Sequence, residues 1–157
     1  MDDHTPPQAV VDEVYWFLGA INRWLGGTRA TVRTFEALSR DWTPGACIRV
    51  LDVASGGSDL ARALIRWGRA QGFDLHVTAL DVSLPALDCA RRRGEADDRL
   101  HFVCADVHQA RGRDGAFDYV TCALYFHHLT DDEVVQMLRS FDRLATRGIV
   151  VNDLVRR

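Results

Sequence analysis

Most features that mark specialised protein classes are missing from this chain. No apolar run nears the roughly 18 residues of a membrane span; the longest near the start is Val14 to Ile21. The first residues, Met1-Asp2-Asp3-His4, are acidic where a signal peptide needs positive charge. Cysteine is scarce: Cys47, Cys89, Cys104 and Cys122 are widely spaced, form no C-x-x-C pair and sit in apolar stretches. Reduced, buried thiols in a cytoplasmic protein are the expectation. Basic charge is not in excess, since the net charge is −3 and the pI near 6.0. That balance argues against a dedicated binder of nucleic acid or of acidic membranes. No repeat and no linker rich in Pro, Gly or Ser interrupts the chain. What remains is 157 residues with 47% hydrophobic and 26% charged content, the profile of an average globular domain. Disorder and collagen-like character are excluded. A chain of this length buries about two-thirds of the surface it exposes when unfolded, enough for a core without staples.

Two helical patterns come first. Val10, Val11, Val14, Phe17, Leu18, Ile21 and Leu25 recur at helical spacing, with Gly26-Gly27 as the stop. Thr28 is then placed to cap a second helix through Phe35 and Leu38, ending by Pro44-Gly45. From Cys47 onward strands and helices alternate. Ile48 to Val53, Leu75 to Leu80, Leu100 to Cys104, Phe117 to Ala123 and Ile149 to Val151 read as strands. Ser58 and Ser83 are candidate caps for the first two intervening helices, the second with Pro85 just inside and Arg91-Arg92-Arg93 in its last turn. Thr130-Asp131-Asp132-Glu133 reads as a capping box, and Gly148 as the end of the helix it opens. Apolar strands separated by helices imply a parallel sheet covered on both faces. The fold class is therefore α/β and doubly wound, with strand order 3-2-1-4-5 and right-handed crossovers. Residues 1–45 form a helical cap and residues 46–157 the α/β unit.

In open α/β sheets a ligand lies beyond the carboxyl ends of the strands, where strand order reverses. Three successive strands end in or near an acid there: Asp52, Asp81 and Asp106. Ala54-Ser55-Gly56-Gly57-Ser58-Asp59 after the first strand is either a tight strand-to-helix turn or a close approach for a ligand. Asp59 stands where a dinucleotide fingerprint needs its third glycine, and Asp52 adds negative charge beside it. Such a turn suits a ligand with a cationic end better than a phosphate. Asp81, 25 residues beyond Gly56, is placed to accept both hydroxyls of a ribose, or is a surface acid before Ser83. Asp106 either accepts from an adenine amino group or forms an Asx turn. His76, His101 and His108 and the cysteines show no ligand-like spacing, so no metal is expected.

The stretch Val50-Leu51-Asp52-Val53-Ala54-Ser55-Gly56-Gly57-Ser58-Asp59-Leu60 resembles the first motif of the class I S-adenosylmethionine-dependent methyltransferases. Asp81, Asp106 and the run from Phe117-Asp118 through His127-His128-Leu129 look like that family's later motifs, in order. The nearest branch in character is the small-molecule one, similar to quinone-biosynthesis and polyketide-tailoring enzymes. The resemblance implies a Rossmann-like fold and S-adenosyl-L-methionine as cofactor. It sets the cofactor's ammonium group near Asp52, Cys122 and Ala123, and its amino-acid portion on the turn Ala54, Ser55 and Gly56 with Asp59 nearby. It gives the ribose to Asp81 and the adenine to Val82, Asp106 and the Val107 amide. His127 and His128 become candidate bases for an acceptor that must lose a proton, and Tyr125, Asn152 and Asp153 candidates for acceptor contacts. The partner implied is a small-molecule methyl acceptor.

Two departures from the family pattern stand out. Ala54 and Ser58 replace two motif glycines, which is tolerable if φ stays negative there. The family's sheet usually has seven strands, whereas here Arg157 follows closely on the fifth. Strand five is then expected to be an open edge through which copies self-associate. The alternatives are an inactive cofactor-binding domain or fragment and, disfavoured by Asp59, a nicotinamide-dependent oxidoreductase. Asn22 and Arg29 flank Gly26-Gly27 without an assignable role.

Overall fold

A computed structural model of the chain describes residues 7, 10, 12–17, 19, 26–108 and 113–154. Of the expected first helix, residues 10, 12–17 and 19 are helical. Val11, Leu18, Ile21, Asn22 and Leu25 lie outside the described residues. The order is then α1 (Gly27–Leu38), a 3-10 turn (Ser39–Asp41), β1 (Cys47–Val53), α2 (Asp59–Ala70), β2 (Asp74–Asp81), α3 (Leu84–Arg92) and β3 (Leu100–Cys104). After these come β4 (Phe117–Ala123), a 3-10 turn (Phe126–His128), α4 (Asp131–Leu144) and β5 (Ala145–Asn152). All strand pairs are parallel, in the order β3-β2-β1-β4-β5. The chain winds outward from β1 to β3, then crosses back to β4 on β1's other side. The gap between β1 and β4 is the point where strand order reverses, which is where the ends of these strands can hold a ligand.

Alternation along the strands divides the core into two layers. Ile48, Val50 and Tyr119 face Leu64 and Ile65 of α2 and an aromatic group that includes Phe35 and Trp42. Trp42 Nε1 donates to the Tyr119 hydroxyl at 3.1 Å, so the polar ends of both rings are satisfied inside the layer. Gly68 lets α2 lie close on β2, since a Cβ there would sit 2.9 Å from Leu75 Cβ. On the opposite face Leu51, Val53 and Val120 pack against Met137, Phe141 and Leu144 of α4. Each of these large side chains contributes roughly 1.5–3 kcal/mol by leaving water.

Two helix starts obey their local signals. Ser83 Oγ accepts from Ala86 N at 3.3 Å, and Thr130 with Glu133 forms the full capping box. Two do not. Ser58 adopts φ +56 and makes no side-chain cap, because the turn from β1 needs a left-handed residue at that point. Thr28 lies inside α1, which instead follows Gly26 at φ +79. Gly148 does not end α4: the helix stops at Leu144, and pairing of Phe117 with Ala145 draws 145–152 into β5. Cys89 and Cys122 are buried as expected, but Cys47 and Cys104 are exposed. Those two occupy the first residue of β1 and the last of β3, beyond the helices that cover the sheet.

Candidate active site

At the carboxyl ends of the strands lies a cleft of about 780 Å³, and Asp52, Asp81 and Asp106 all line it. The turn after β1 is built from left-handed residues: Ala54 at φ +54, Gly56 at +49 and Ser58 at +56. The condition on which the sequence makes these two replacements tolerable, negative φ at Ala54 and Ser58, is not met. The turn must reverse direction within five residues, and it holds two non-glycine residues in a conformation that costs roughly 1–2 kcal/mol each. Asp81 ties the turn down. Its Oδ2 accepts from Gly56 N at 2.8 Å and its Oδ1 from Ser83 N at 2.8 Å. One carboxylate therefore joins the β1 turn to the start of α3, with one acceptor site left on each oxygen.

Asp52 is 2% exposed, and its Oδ2 has no hydrogen-bond partner among the described residues. Burial, and next the charge of Asp81, push its carboxyl up to about 8. Its neighbour in register across β4, Thr121, is also fully buried with an unpartnered Oγ. Of the two, Asp52 lines the cleft, and a buried carboxylate oxygen without a partner there fits a ligand bearing a cationic or donor group. Asp59 also lines the cleft, but Arg93 opposes its charge at 3.9 Å. The basic run 91–93 is spent on acids, with Arg91 on Asp88 and Arg92 on Asp12.

Val82 is 70% exposed on the cleft wall, whereas Val107 is buried beneath it. Asp106 Oδ1 accepts from His108 N at 2.9 Å, an Asx turn that shapes this corner. At the end of β4, Ala123, Leu124 and Tyr125 line the cleft, with Leu124 at φ +55. Cys122 is not part of the lining. It points into the layer under α4, where burial, then the charge of Asp52, pushes its thiol up.

His127 and His128 both reach the cleft, their rings 3.9 Å apart at 45°. They differ in support. His127 Nδ1 donates to Asp153 Oδ1 at 2.6 Å, while Asp153 Oδ2 accepts from the backbone N–H groups of Tyr125 and His127. Burial alone would raise the Asp153 carboxyl; the His127 hydrogen bond and the Leu154 N–H outweigh it and hold it below the usual range. This fixes the His127 tautomer, leaving Nε2 as the acceptor nitrogen. Asp153 therefore orients a histidine and does not line the cleft. Asn152 does not either: its Nδ2 donates to Gly27 O at 2.8 Å and to Thr31 Oγ1 at 3.2 Å, fastening α1 to the end of β5. Both were sequence candidates for acceptor contacts, and the structure gives both to scaffolding.

Sequence reasoning missed Tyr15 and Gly19, which line the cleft from the N-terminal segment. A Cβ on Gly19 would collide with the Asp59 carboxylate, and one on Gly56 would come within 3.1 Å of the Tyr15 ring. The signal available was one small residue on an otherwise apolar helical pattern, too weak to place it over the turn.

A five-stranded parallel sheet in this order, with acids at three strand ends and a left-handed turn after β1, defines the Rossmann-like architecture of class I methyltransferases. The chain belongs to the family described as Methyltransferase domain, which matches residues 50–148. A demethylmenaquinone methyltransferase of Clavibacter sepedonicus is 33% identical over 113 residues, covering 69% of this chain and 44% of the relative. A ubiquinone biosynthesis O-methyltransferase of Xanthomonas oryzae is 28% identical over 140 residues, covering 84% and 55%. A solved structure from Methanococcus maripaludis shares the fold with a TM-score of 0.69 at 19% identity, over 98% of this chain and 67% of that one. The chain spans about half the length of the curated relatives it matches. Among the described residues no helix is long and apolar enough to cross a membrane.

Proposed function

We propose that this chain binds S-adenosyl-L-methionine in the cleft and directs its methyl group to a small-molecule acceptor of the quinol or phenol kind. The observation that carries the reading is the convergence of Asp52, Asp81 and Asp106 on one cleft behind a left-handed turn. The quinone-biosynthesis relatives supply the acceptor class. When bound, the cofactor supplies a methyl group already activated on a sulfonium, so the protein's task is placement and exclusion of water. In this reading Asp52 meets the ammonium group, the turn at Ala54, Ser55 and Gly56 cradles the amino-acid portion, and Asp81 accepts the ribose hydroxyls. Val82 packs on the adenine and Asp106 with the Val107 amide reads its edge. The described part of the N-terminal segment covers one side of the cleft through Tyr15 and Gly19. Where the acceptor gives up a proton, His127 Nε2 takes it, and the resulting imidazolium is stabilised through Nδ1 by Asp153.

Calorimetric titration with S-adenosylhomocysteine, S-adenosylmethionine and NAD tests the cofactor. Binding of both adenosyl ligands and not of NAD is expected; NAD alone binding overturns the reading. Turnover on a panel of quinols and phenols then separates a transferase from an inert binding domain. His127→Gln should leave S-adenosylhomocysteine affinity unchanged while lowering kcat on a phenolic acceptor by on the order of a hundredfold. An unaltered kcat would take the base role away from His127.

A further inference from the structure

At the opposite end of the sheet from the cleft, the structure collects three side chains that the proposed reaction does not use. Cys47 opens β1 and Asp74 opens β2, and the two are directly paired in the parallel register. His76 lies two residues along β2 from Asp74, so both project from the same face. One ligand atom from each, the thiol sulfur, a carboxylate oxygen and an imidazole nitrogen, lies within 4.8 Å of the others. His76 Nε2 and Asp74 Oδ2 are 3.2 Å apart. Two light ligands held at about 2.0 Å from a tetrahedral metal sit about 3.3 Å from each other, so this spacing already suits a shared ion.

The rest of the environment agrees. Arg99 Nε occupies Asp74 Oδ1 at 2.7 Å, which turns Oδ2 toward His76. The His101 ring stacks 6.3 Å from that of His76, at 9° between planes, and so braces the imidazole. Cys47 is exposed, and the Asp74 and His76 side chains are 41% and 35% exposed, so an ion has access and water can complete its shell. A thiolate, an imidazole and one carboxylate form the donor set of a borderline or soft divalent cation and not of calcium or magnesium.

We propose that Cys47, Asp74 and His76 form a surface site for a divalent transition metal of the zinc class, clamping the amino ends of β1 and β2. The proposal departs from the sequence expectation of no metal. The ligands are 27 and 2 residues apart, and only the register of two parallel strands brings them together.

Titration of the reduced full chain with Co²⁺ tests the proposal. A saturable thiolate-to-cobalt charge-transfer band in the near ultraviolet is expected at one equivalent, together with the intense visible bands of a tetrahedral ion. Cys47→Ser should abolish the charge-transfer band, His76→Ala should weaken cobalt binding at least tenfold, and Cys104→Ser, at the other exposed cysteine, should change neither. Zn²⁺ should displace the cobalt and raise Tm in the parent chain but not in Cys47→Ser. A chain with no charge-transfer band, or a band that survives Cys47→Ser, overturns the site. Circular dichroism of each variant confirms that it is folded, and S-adenosylhomocysteine binding, measured in parallel, reports on the distant cleft independently.

Discussion

Asp52 departs far from the ordinary chemistry of a carboxyl group. Between the ordinary carboxyl range and about pH 8 the folded chain holds a proton here that the unfolded chain has released. Stability therefore falls as pH rises through that window, by up to about 1.4 kcal/mol per pH unit from this group, and the loss levels off above it. A cation placed against the carboxylate favours its ionised form, so binding of S-adenosylhomocysteine at pH 7 should expel a proton. Calorimetry in phosphate and in Tris would show it as different apparent enthalpies. The difference should vanish in Asp52→Asn; equal enthalpies for the parent chain at pH 7 would move the ammonium group elsewhere. Asp81 carries a different load, since two backbone N–H groups already depend on it. Asp81→Ala should weaken S-adenosylhomocysteine by about 1–3 kcal/mol, roughly fivefold to 150-fold. Arg91→Ala, which loses a surface pair with Asp88 and a cation–π contact with Phe102 away from the cleft, should not change affinity. Similar losses from the two substitutions would show that the ribose lies away from Asp81. All three strand-end acids were legible in the sequence, because strand ends are marked by where apolar runs stop. The Asp153–His127 pair was not, since it spans 26 residues and depends on β5 lying beside β4.

Elements divide in the same way between local and distant causes. Ser83 and Thr130 cap their helices through bonds made within four residues, and such signals survive in the sequence. The start of α2 does not follow its local signal, because the turn before it is shaped by β1, β2 and Asp81 together. Strand β5 begins earlier than its apolar run, since pairing with β4 recruits Ala145 to Gly148. The strained turn yields its own prediction. Replacing Ala54 with glycine removes the Cβ penalty of φ +54 at some cost in unfolded-chain entropy. A net gain of about 0.5–1 kcal/mol is expected as a higher urea midpoint at unchanged m-value. Ala54→Val should lower the midpoint, as a β-branched residue is a poorer fit in the left-handed region. A lower midpoint for Ala54→Gly would mean that packing of the Ala54 methyl outweighs the strain it carries.

For the whole molecule the decisive surface is the far edge of β5. The strand pairs with β4 on one side and, among the described residues, with nothing on the other. Its exposed Val151 and the following Leu154 are 39% and 55% accessible. Val135 and Leu138 on α4 are accessible too, at 46% and 37%. An unpaired edge beside exposed apolar side chains is a template for another strand, and no proline interrupts β5 to blunt it. We therefore expect the 17.6 kDa chain to self-associate through β5. Sedimentation velocity should show a weight-average coefficient that climbs with concentration. Placing a lysine at the edge, Val151→Lys, should return the chain to a monomer without altering S-adenosylhomocysteine affinity, because Val151 is not part of the cleft lining. The same variant discriminates between edges: association that persists in it would locate the contact at the outer edge of β3, where Val103 is 40% accessible. A concentration-independent monomer for the parent chain would show instead that the β5 edge is protected by the twist and charge of the strand, Arg147 included, and the self-association argument would fall.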